Sequence, residues 1–148
     1  RSNGSAPSML QYKIHSDNTS MYNTPPTFGI YMAGLMFDWI DEQGGLEVIE
    51  HKNELKAKIL YDAIDSNDMF YCPVDQSDRS SMNVVFRVQG NHVELEDAFM
   101  KEAREVGLIE LKGHRSVGGL RASIYNAQSH DNVTALVEFM GTFSKKHS

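Results

Sequence analysis

The pattern of apolar and polar positions predicts two consecutive helices in the first half of the chain. A nearly all-apolar run begins at Thr27 and stops at the pair Gly44 and Gly45, which indicates a helix that is buried on several sides. In a chain this small, part of the surface of that helix is expected to meet another domain or another subunit. The next helix is predicted from Leu46 to Ile64, because apolar residues recur there at helical spacing. Its charged positions, which include Lys56, are interpreted as a solvated face.

The second half of the chain alternates between strand patterns and helix patterns. Strands are predicted at Met69–Cys72, Met82–Val88, Leu108–Leu111 and Leu120–Tyr125, and helices from about Leu95 to Val106 and from about Ser129 to the C-terminal end. Short links between strands favour antiparallel pairing, and helices with one apolar side favour packing on one face of a sheet. The predicted fold is therefore α/β of the α+β kind, with a mainly antiparallel sheet and its helices packed on one face.

The N-terminal part of the chain shows little periodicity apart from one stiff segment. Residues 1–8 are small and polar and are interpreted as a linker, and Met9 to Met21 is expected to be a loop. In the sequence YNTPPT the two prolines hold the backbone extended, so Asn23 and Thr24 lie outside the helix that follows. Two interpretations stay open: the two side chains cap that helix, or they bind a phosphate at its N-terminus.

Candidate chemistry is concentrated in the sequence GHRSVGGLRASIYN. His114, Arg115 and Arg121 fall within eight residues, separated by a glycine pair that lets the backbone approach a ligand. Arginine binds a carboxylate or a phosphate through two parallel hydrogen bonds, and strand alternation points Arg121 away from the apolar face. No Asp or Glu occurs between Glu110 and Asp131, although the formal net charge is -6. These residues therefore suit an external anion, and a solvated turn is the alternative.

Composition narrows the class of protein. A chain of 148 residues is long enough for one domain with a real core. Its acidic balance argues against a nucleic-acid partner, and the lack of a long apolar run or a signal-peptide pattern argues against a membrane partner. Cys72 is the only cysteine, so neither an internal disulfide nor a cysteine-based zinc site is expected, and a reducing, cytoplasmic location is predicted.

The segments YNTPPT, RSSMNVVFR and KGHRSVGGLRASIYNA, in this order and spacing, resemble the phosphoserine aminotransferase family. The resemblance runs from about Pro7 to His147 but matches only the C-terminal part of those enzymes. It implies the small C-terminal domain of the aspartate aminotransferase fold at residues 27–148, preceded at residues 1–26 by a linker and cofactor-phosphate segment that leads from a large domain.

The resemblance also implies an activity. The family uses pyridoxal 5'-phosphate and acts as a homodimer with active sites at the subunit interface. It transfers an amino group between L-glutamate and 3-phosphohydroxypyruvate, which gives phosphoserine and 2-oxoglutarate in serine biosynthesis. Whether a related substrate of vitamin B6 biosynthesis is also used stays open.

Roles for single residues follow from the same resemblance. It assigns Asn23 and Thr24 to the cofactor phosphate of the partner subunit's site. It assigns Arg121 to the substrate α-carboxylate, and His114 with Arg115 to the substrate phosphate, without fixing which subunit the latter two serve. The lysine that binds the cofactor covalently lies upstream in the family, so no catalytic residue is expected in this chain, which is expected to be inactive alone.

Two functions of other classes stay open on the sequence. One is a stand-alone module that binds a phosphorylated metabolite without catalysis. The other is an assembly module in which the apolar helix from Phe28 to Ile40 mediates dimerisation. Neither explains YNTPPT and GHRSVGGLRAS together.

Overall fold

The computed structural model describes residues 6–147, and its secondary structure matches most of the predicted elements. Within these residues the helices are α1 (Tyr12–Asp17), α2 (Thr27–Glu42), α3 (Leu46–Asp65), α4 (Val93–Glu105) and α5 (His130–His147), and the strands are β1 (Phe70–Tyr71), β2 (Asn83–Val88) and β3 (Leu120–Ser123). The chain forms two compact units that divide between Gly45 and Leu46. The domain boundary after residue 26, expected for a complete enzyme, stays a prediction.

The first unit contains α1 and the apolar helix α2. As predicted, α2 begins directly after the proline pair and ends before Gly44 and Gly45, which have φ values of 103° and 84°. Within this chain none of the α2 residues is buried and Phe28 is 75% exposed, so the expected burial of α2 against another domain or subunit stays a prediction. A helix with so much exposed apolar surface is typical of an interface.

The predicted loop from Met9 to Met21 is also wrong, because α1 and a preceding 3-10 turn at Ser8–Leu10 lie there. The helix buries no residue, so it leaves no apolar period in the sequence. Polar contacts stabilise it instead: Lys13 Nζ lies 2.8 Å from Asp17 Oδ2, and Asn18 Nδ2 donates to the Ile14 carbonyl at 2.8 Å.

The second unit is a three-stranded antiparallel sheet in the order β1-β2-β3, covered by helices. Val84 pairs with Ala122 and Phe86 with Leu120, and all four side chains are buried. The core that contains them also contains residues of α3, α4 and α5, so the helices pack on this one face. The other face carries the alternate residues of each strand. The predicted α+β fold is therefore confirmed.

The core is centred on Phe99 of α4. Its ring packs edge-on against Phe70, Phe86 and Phe143, with centroid separations of 5.5, 5.9 and 5.1 Å. Edge-to-face contacts of this kind add to the energy of apolar burial. They connect α4 and α5 to the two strands β1 and β2, and so fix the sheet on which the candidate site is built.

A strand at Leu108–Leu111 was predicted and is not formed. Glu110 has a φ of 60°, in the left-handed region, which interrupts the extended backbone. Only Leu111 and Lys112 approach β3: Arg121 N–H donates to the Leu111 carbonyl at 2.8 Å, and Lys112 forms an isolated bridge with Leu120. The apolar run is therefore a partly paired loop along the edge of β3.

The charged face of α3 is correctly predicted except at Lys56, which is 3% exposed. Its Nζ donates to the carbonyls of Ile124, Tyr125 and Gln128 at 3.2, 2.8 and 2.9 Å. Burial lowers the pKa of Lys56, because the ammonium charge loses water. The carbonyl oxygens compensate for that loss, and their hydrogen bonds attach the segment after β3 to α3.

Among residues 6–147, no helix combines the length and apolar character needed to cross a membrane.

Candidate anion-binding site

The anion loop, residues 113–119, is a tight closed turn between the edge segment and β3. Gly113 N–H donates to the Gly119 carbonyl at 2.8 Å, and the N–H groups of Val117 and Gly118 donate to the His114 carbonyl at 2.9 and 2.8 Å. A Cβ on Gly113 would lie 2.1 Å from the Gly118 carbonyl oxygen, so only glycine fits there. The loop is therefore a compact unit that presents its polar side chains outward.

The His114 ring is oriented by Ser116. Ser116 Oγ lies 2.6 Å from His114 Nδ1, and the Ser116 backbone N–H donates to the same nitrogen at 3.3 Å. A backbone N–H can only donate, so Nδ1 is the acceptor and the proton of the neutral ring lies on Nε2. The imidazole therefore has an N–H donor available for an anion.

Arg115 follows His114 on the exposed part of the loop. Within residues 6–147 its guanidinium forms no ion pair with an acidic side chain. The alternative of a turn that neutralises nearby carboxylates is therefore not supported by the contacts of the described residues. Two adjacent donors, one imidazole and one guanidinium, suit a doubly charged phosphate.

Arg121 lies on β3 opposite Val85, on the sheet face away from the core, as the alternation predicts. Its Nε is buried and has no hydrogen-bond acceptor among the described residues. Arg121 is one of the residues that line a cleft of about 570 Å³, together with Lys112 and Ser123. His114 and Arg115 do not line this cleft, so the loop pair and Arg121 belong to adjacent but separate surfaces.

Asn23 and Thr24 belong to the first compact unit. Both are exposed, and both are non-helical as predicted. Asn23 Nδ2 makes a weak contact with Met9 Sδ at 3.4 Å. The capping residue of α2 is Pro26, with no side-chain cap hydrogen bond. The interpretation of Asn23 and Thr24 as helix caps is therefore wrong, and their donors lie near the positive end of the helix.

Sequence reasoning missed the pair formed by Arg87 and Glu96. Arg87 Nε donates to Glu96 Oε1 at 3.0 Å and Nη2 donates to Oε2 at 3.3 Å. These hydrogen bonds raise the pKa of Arg87, because the carboxylate favours the charged guanidinium. Strand alternation places Arg87 on the same sheet face as Arg121, and this pattern in the sequence could have identified Arg87 as a neighbour of the site.

The side chains of the loop and of the cleft share one kind of chemistry. Arginine, histidine and lysine side chains supply hydrogen-bond donors and positive charge, and the loop contains no carboxylate. Among residues 6–147, no group of three His, Cys, Asp or Glu side chains is placed to hold a metal ion. The donor set therefore fits carboxylate and phosphate groups.

Residues 3–136 match the family model of the class-V aminotransferases, so the chain belongs to the class-V aminotransferase family. Among curated proteins it is similar to phosphoserine aminotransferase of Nitrosomonas europaea, with 55% identity over 142 residues. It is also similar to phosphoserine aminotransferase 2, chloroplastic, of Arabidopsis thaliana, with 56% identity over 143 residues. Each alignment covers 96% of this chain but only 38% and 33% of the two relatives.

Solved structures agree with this assignment. Phosphoserine aminotransferase from Bacillus circulans subsp. alkalophilus superposes with a TM-score of 0.89 at 46% identity, covering 100% of this chain and 41% of that one. The pyridoxal phosphate-bound enzyme from Trichomonas vaginalis gives a TM-score of 0.84 at 41% identity, covering 95% and 40%. The chain thus spans about two fifths of these proteins, and the family and fold implied by the sequence resemblance are confirmed.

Proposed function

We propose that this chain is the C-terminal part of a pyridoxal phosphate-dependent phosphoserine aminotransferase that converts L-glutamate and 3-phosphohydroxypyruvate into 2-oxoglutarate and phosphoserine. Similarity over nearly the whole chain to enzymes of that name supports the reaction. The observation that carries the substrate class is Arg121, which lines the cleft and whose guanidinium forms no ion pair with an acidic side chain of residues 6–147. A guanidinium without a carboxylate partner in the chain is suited to bind a substrate carboxylate through two parallel hydrogen bonds.

The two anionic groups of phosphoserine are divided between the two surfaces of the site. Arg121 binds the α-carboxylate, which phosphoserine and glutamate share. His114 and Arg115 bind the phosphate, because a dianion gains most from two adjacent charge-assisted donors. The Nε2 proton of His114 supports this assignment, as does the Arg115 guanidinium, which forms no ion pair with an acidic side chain of residues 6–147. Which subunit's substrate the loop pair contacts is part of the same proposal and depends on the homodimer.

The cofactor assignment rests on Asn23 and Thr24. Their amide and hydroxyl are exposed donors beside the N-terminus of α2, a combination that fits one side of a phosphate group. When bound, pyridoxal phosphate supplies the electron sink that makes amino-group transfer possible. This chain would hold the phosphate and the substrate anions, while residues 1–26 lead from a large domain that carries the covalent lysine.

A homodimer and a cytoplasmic location complete the proposal. The exposed apolar side chains of α2, which include Phe28, Tyr31 and Phe37, favour burial against another subunit or domain. Sedimentation of the full-length protein is expected to give a dimer. Fractionation of cells is expected to place it in the cytoplasm, although two relatives are chloroplastic proteins.

The reaction is tested with purified full-length enzyme that contains this chain. With glutamate as donor, 3-phosphohydroxypyruvate is expected to be the preferred acceptor, and 3-hydroxypyruvate, the matched compound without a phosphate, a much poorer one. Equal use of both acceptors would contradict the assigned substrate. The 148-residue chain with excess pyridoxal phosphate is expected to give no turnover above a blank.

An experiment on the isolated 148-residue chain tests the alternative of a stand-alone binding module. Titration of phosphoserine into the isolated chain is expected to show negligible affinity, because a site shared with other parts of the enzyme is incomplete. Tight binding by the isolated chain would favour the module over the enzyme fragment.

A further inference from the structure

Arg87 lies in contact with the glycine pair of the anion loop. A Cβ placed on Gly119 would lie 3.0 Å from Arg87 Cγ and 3.1 Å from its Nε, and one on Gly118 would lie 3.9 Å from Nη2. Gly119 also has a φ of 70°, a conformation in which a side chain is strained. The loop backbone therefore rests on the Arg87 side chain, with too little space at Gly119 for a side chain between them.

Glu96 fixes Arg87 from the other side. The carboxylate accepts two hydrogen bonds from the guanidinium, and its Oε1 also accepts the Val88 N–H at 3.4 Å. Glu96 is only 4% exposed and lies in the first turn of α4, where the helix dipole favours a negative charge. Arg87 is thus neutralised and held in one orientation, so that binding an external anion would require breaking a buried ion pair.

We propose that Arg87 is a positioning residue, supported by Glu96, that sets the place of the anion loop and thereby aims His114 and Arg115 at the substrate phosphate. This inference rests on the function proposed above. Because Gly113 and Gly119 close the loop with a hydrogen bond, a shift at Gly119 moves the loop as a unit. Arg121 is held separately by the pairing of β2 and β3. Loss of Arg87 therefore affects the phosphate contacts more than the α-carboxylate contact.

The test replaces Arg87 with methionine in the full-length enzyme. Single-turnover reactions with phosphoserine and with glutamate give a selectivity ratio, which is expected to fall by about 10- to 100-fold, since misplacement of a binding group by about 1 Å has effects of this size. Arg79→Met is the matched control, because Arg79 also binds a carboxylate, that of Asp65, through two nitrogens but does not lie against the loop. Its ratio is expected to stay unchanged.

A second variant, Arg87→Lys, keeps the charge and most of the stem but not the two-pronged contact with Glu96. Its selectivity ratio is expected to lie between those of the wild type and Arg87→Met. If the methionine variant does not fold, the ratio of Arg87→Lys tests the positioning role instead. An unchanged ratio, or parallel loss for both substrates, would overturn the positioning role. A wild-type enzyme that does not react with phosphoserine would instead overturn the proposed function.

Discussion

Arg87 and Arg121 lie on the same face of the sheet but differ in what their guanidinium groups bind. Arg121 on β3 pairs with Val85 on β2. Arg87 lies two residues after Val85 on β2, so its side chain is on the same face of the sheet as that of Arg121. Arg87 donates to a buried carboxylate through two nitrogens, whereas the buried Nε of Arg121 has no acceptor within residues 6–147. Arg87 is therefore satisfied within the fold, whereas the Nε of Arg121 has no acceptor among the described residues.

The hydrogen-bond acceptors of the two guanidinium groups distinguish Arg87 from Arg121 better than their burial does. Both residues are half-buried, so exposure alone would not distinguish them. Arg79, which binds Asp65 and lies over the Tyr61 ring at 4.7 Å, belongs with Arg87 as an internally satisfied cation. An arginine without an internal acceptor is the one to expect in a ligand site.

The largest expected effect comes from removing the unpartnered arginine. Arg121→Ala in the full-length enzyme is expected to lower kcat/KM for both phosphoserine and glutamate by roughly 2–5 kcal/mol, or about 30-fold to several thousand-fold. Arg121→Lys should recover only part of the loss, because an ammonium cannot form the two parallel bonds. Arg104→Ala, an exposed change on α4, is the control. A loss confined to one substrate would contradict the α-carboxylate assignment.

A selective effect is expected from the loop arginine. Arg115→Ala should lower kcat/KM for phosphoserine by about 10- to 100-fold, since a hydrogen bond to a charged group contributes about 1.5–3 kcal/mol, and should affect glutamate far less. Val117→Ala, an exposed change in the same loop, serves as the control for loop packing. Equal losses for the two substrates would show that Arg115 does not recognise the phosphate.

Much of this fold could be predicted because apolar periodicity records which face of an element is buried. The bounds of α2 and α3 and the alternation in β2 and β3 follow directly from it. Apolar periodicity does not predict α1, because that helix buries no residue. It wrongly predicts a strand at Leu108–Leu111, because a left-handed backbone at Glu110 interrupts the apolar run.

The site could be predicted only in part, for a related reason. The sequence shows donors such as His114, Arg115 and Arg121, because residue type and local spacing identify them. It does not show which cations are already satisfied, since the partner of Arg87 lies nine residues away on α4 and the acceptors of Lys56 are backbone carbonyls. Pairing of that kind is set by tertiary structure.

Lys56 extends the comparison to a buried cation whose acceptors are carbonyls instead of a carboxylate. Lys56→Met is expected to destabilise the chain by about 1–3 kcal/mol, because the carbonyls after β3 lose their donor while relief of the buried charge offsets part of the loss. Urea unfolding followed by circular dichroism measures the change. Lys52→Met, an exposed position one turn earlier on α3, should be nearly neutral. Equal changes in the free energy of unfolding for the two substitutions would show that the contacts of Lys56 do not stabilise the fold.

The smallest expected effect tests a carboxylate that is shared by two basic side chains. Glu102 on α4 accepts from Lys146 at 2.9 Å and lies 3.0 Å from His147 Nε2, at the end of α5. The Lys146 hydrogen bond, with a smaller contribution from His147, lowers the pKa of Glu102 below its usual 4.5.

Because the unfolded chain takes up this proton first, the contribution of Glu102 to stability is present above pH 4.5 and is lost as the pH falls through the lower, folded-state pKa. The melting temperature of Glu102→Gln is therefore expected to lie slightly below that of the wild type near pH 7 and to converge with it in acid. Glu105→Gln, an exposed change on the same helix, should show no such convergence. A Glu102→Gln deficit that stayed constant as the pH was lowered would mean that packing, and not the shared charge, connects α4 to α5.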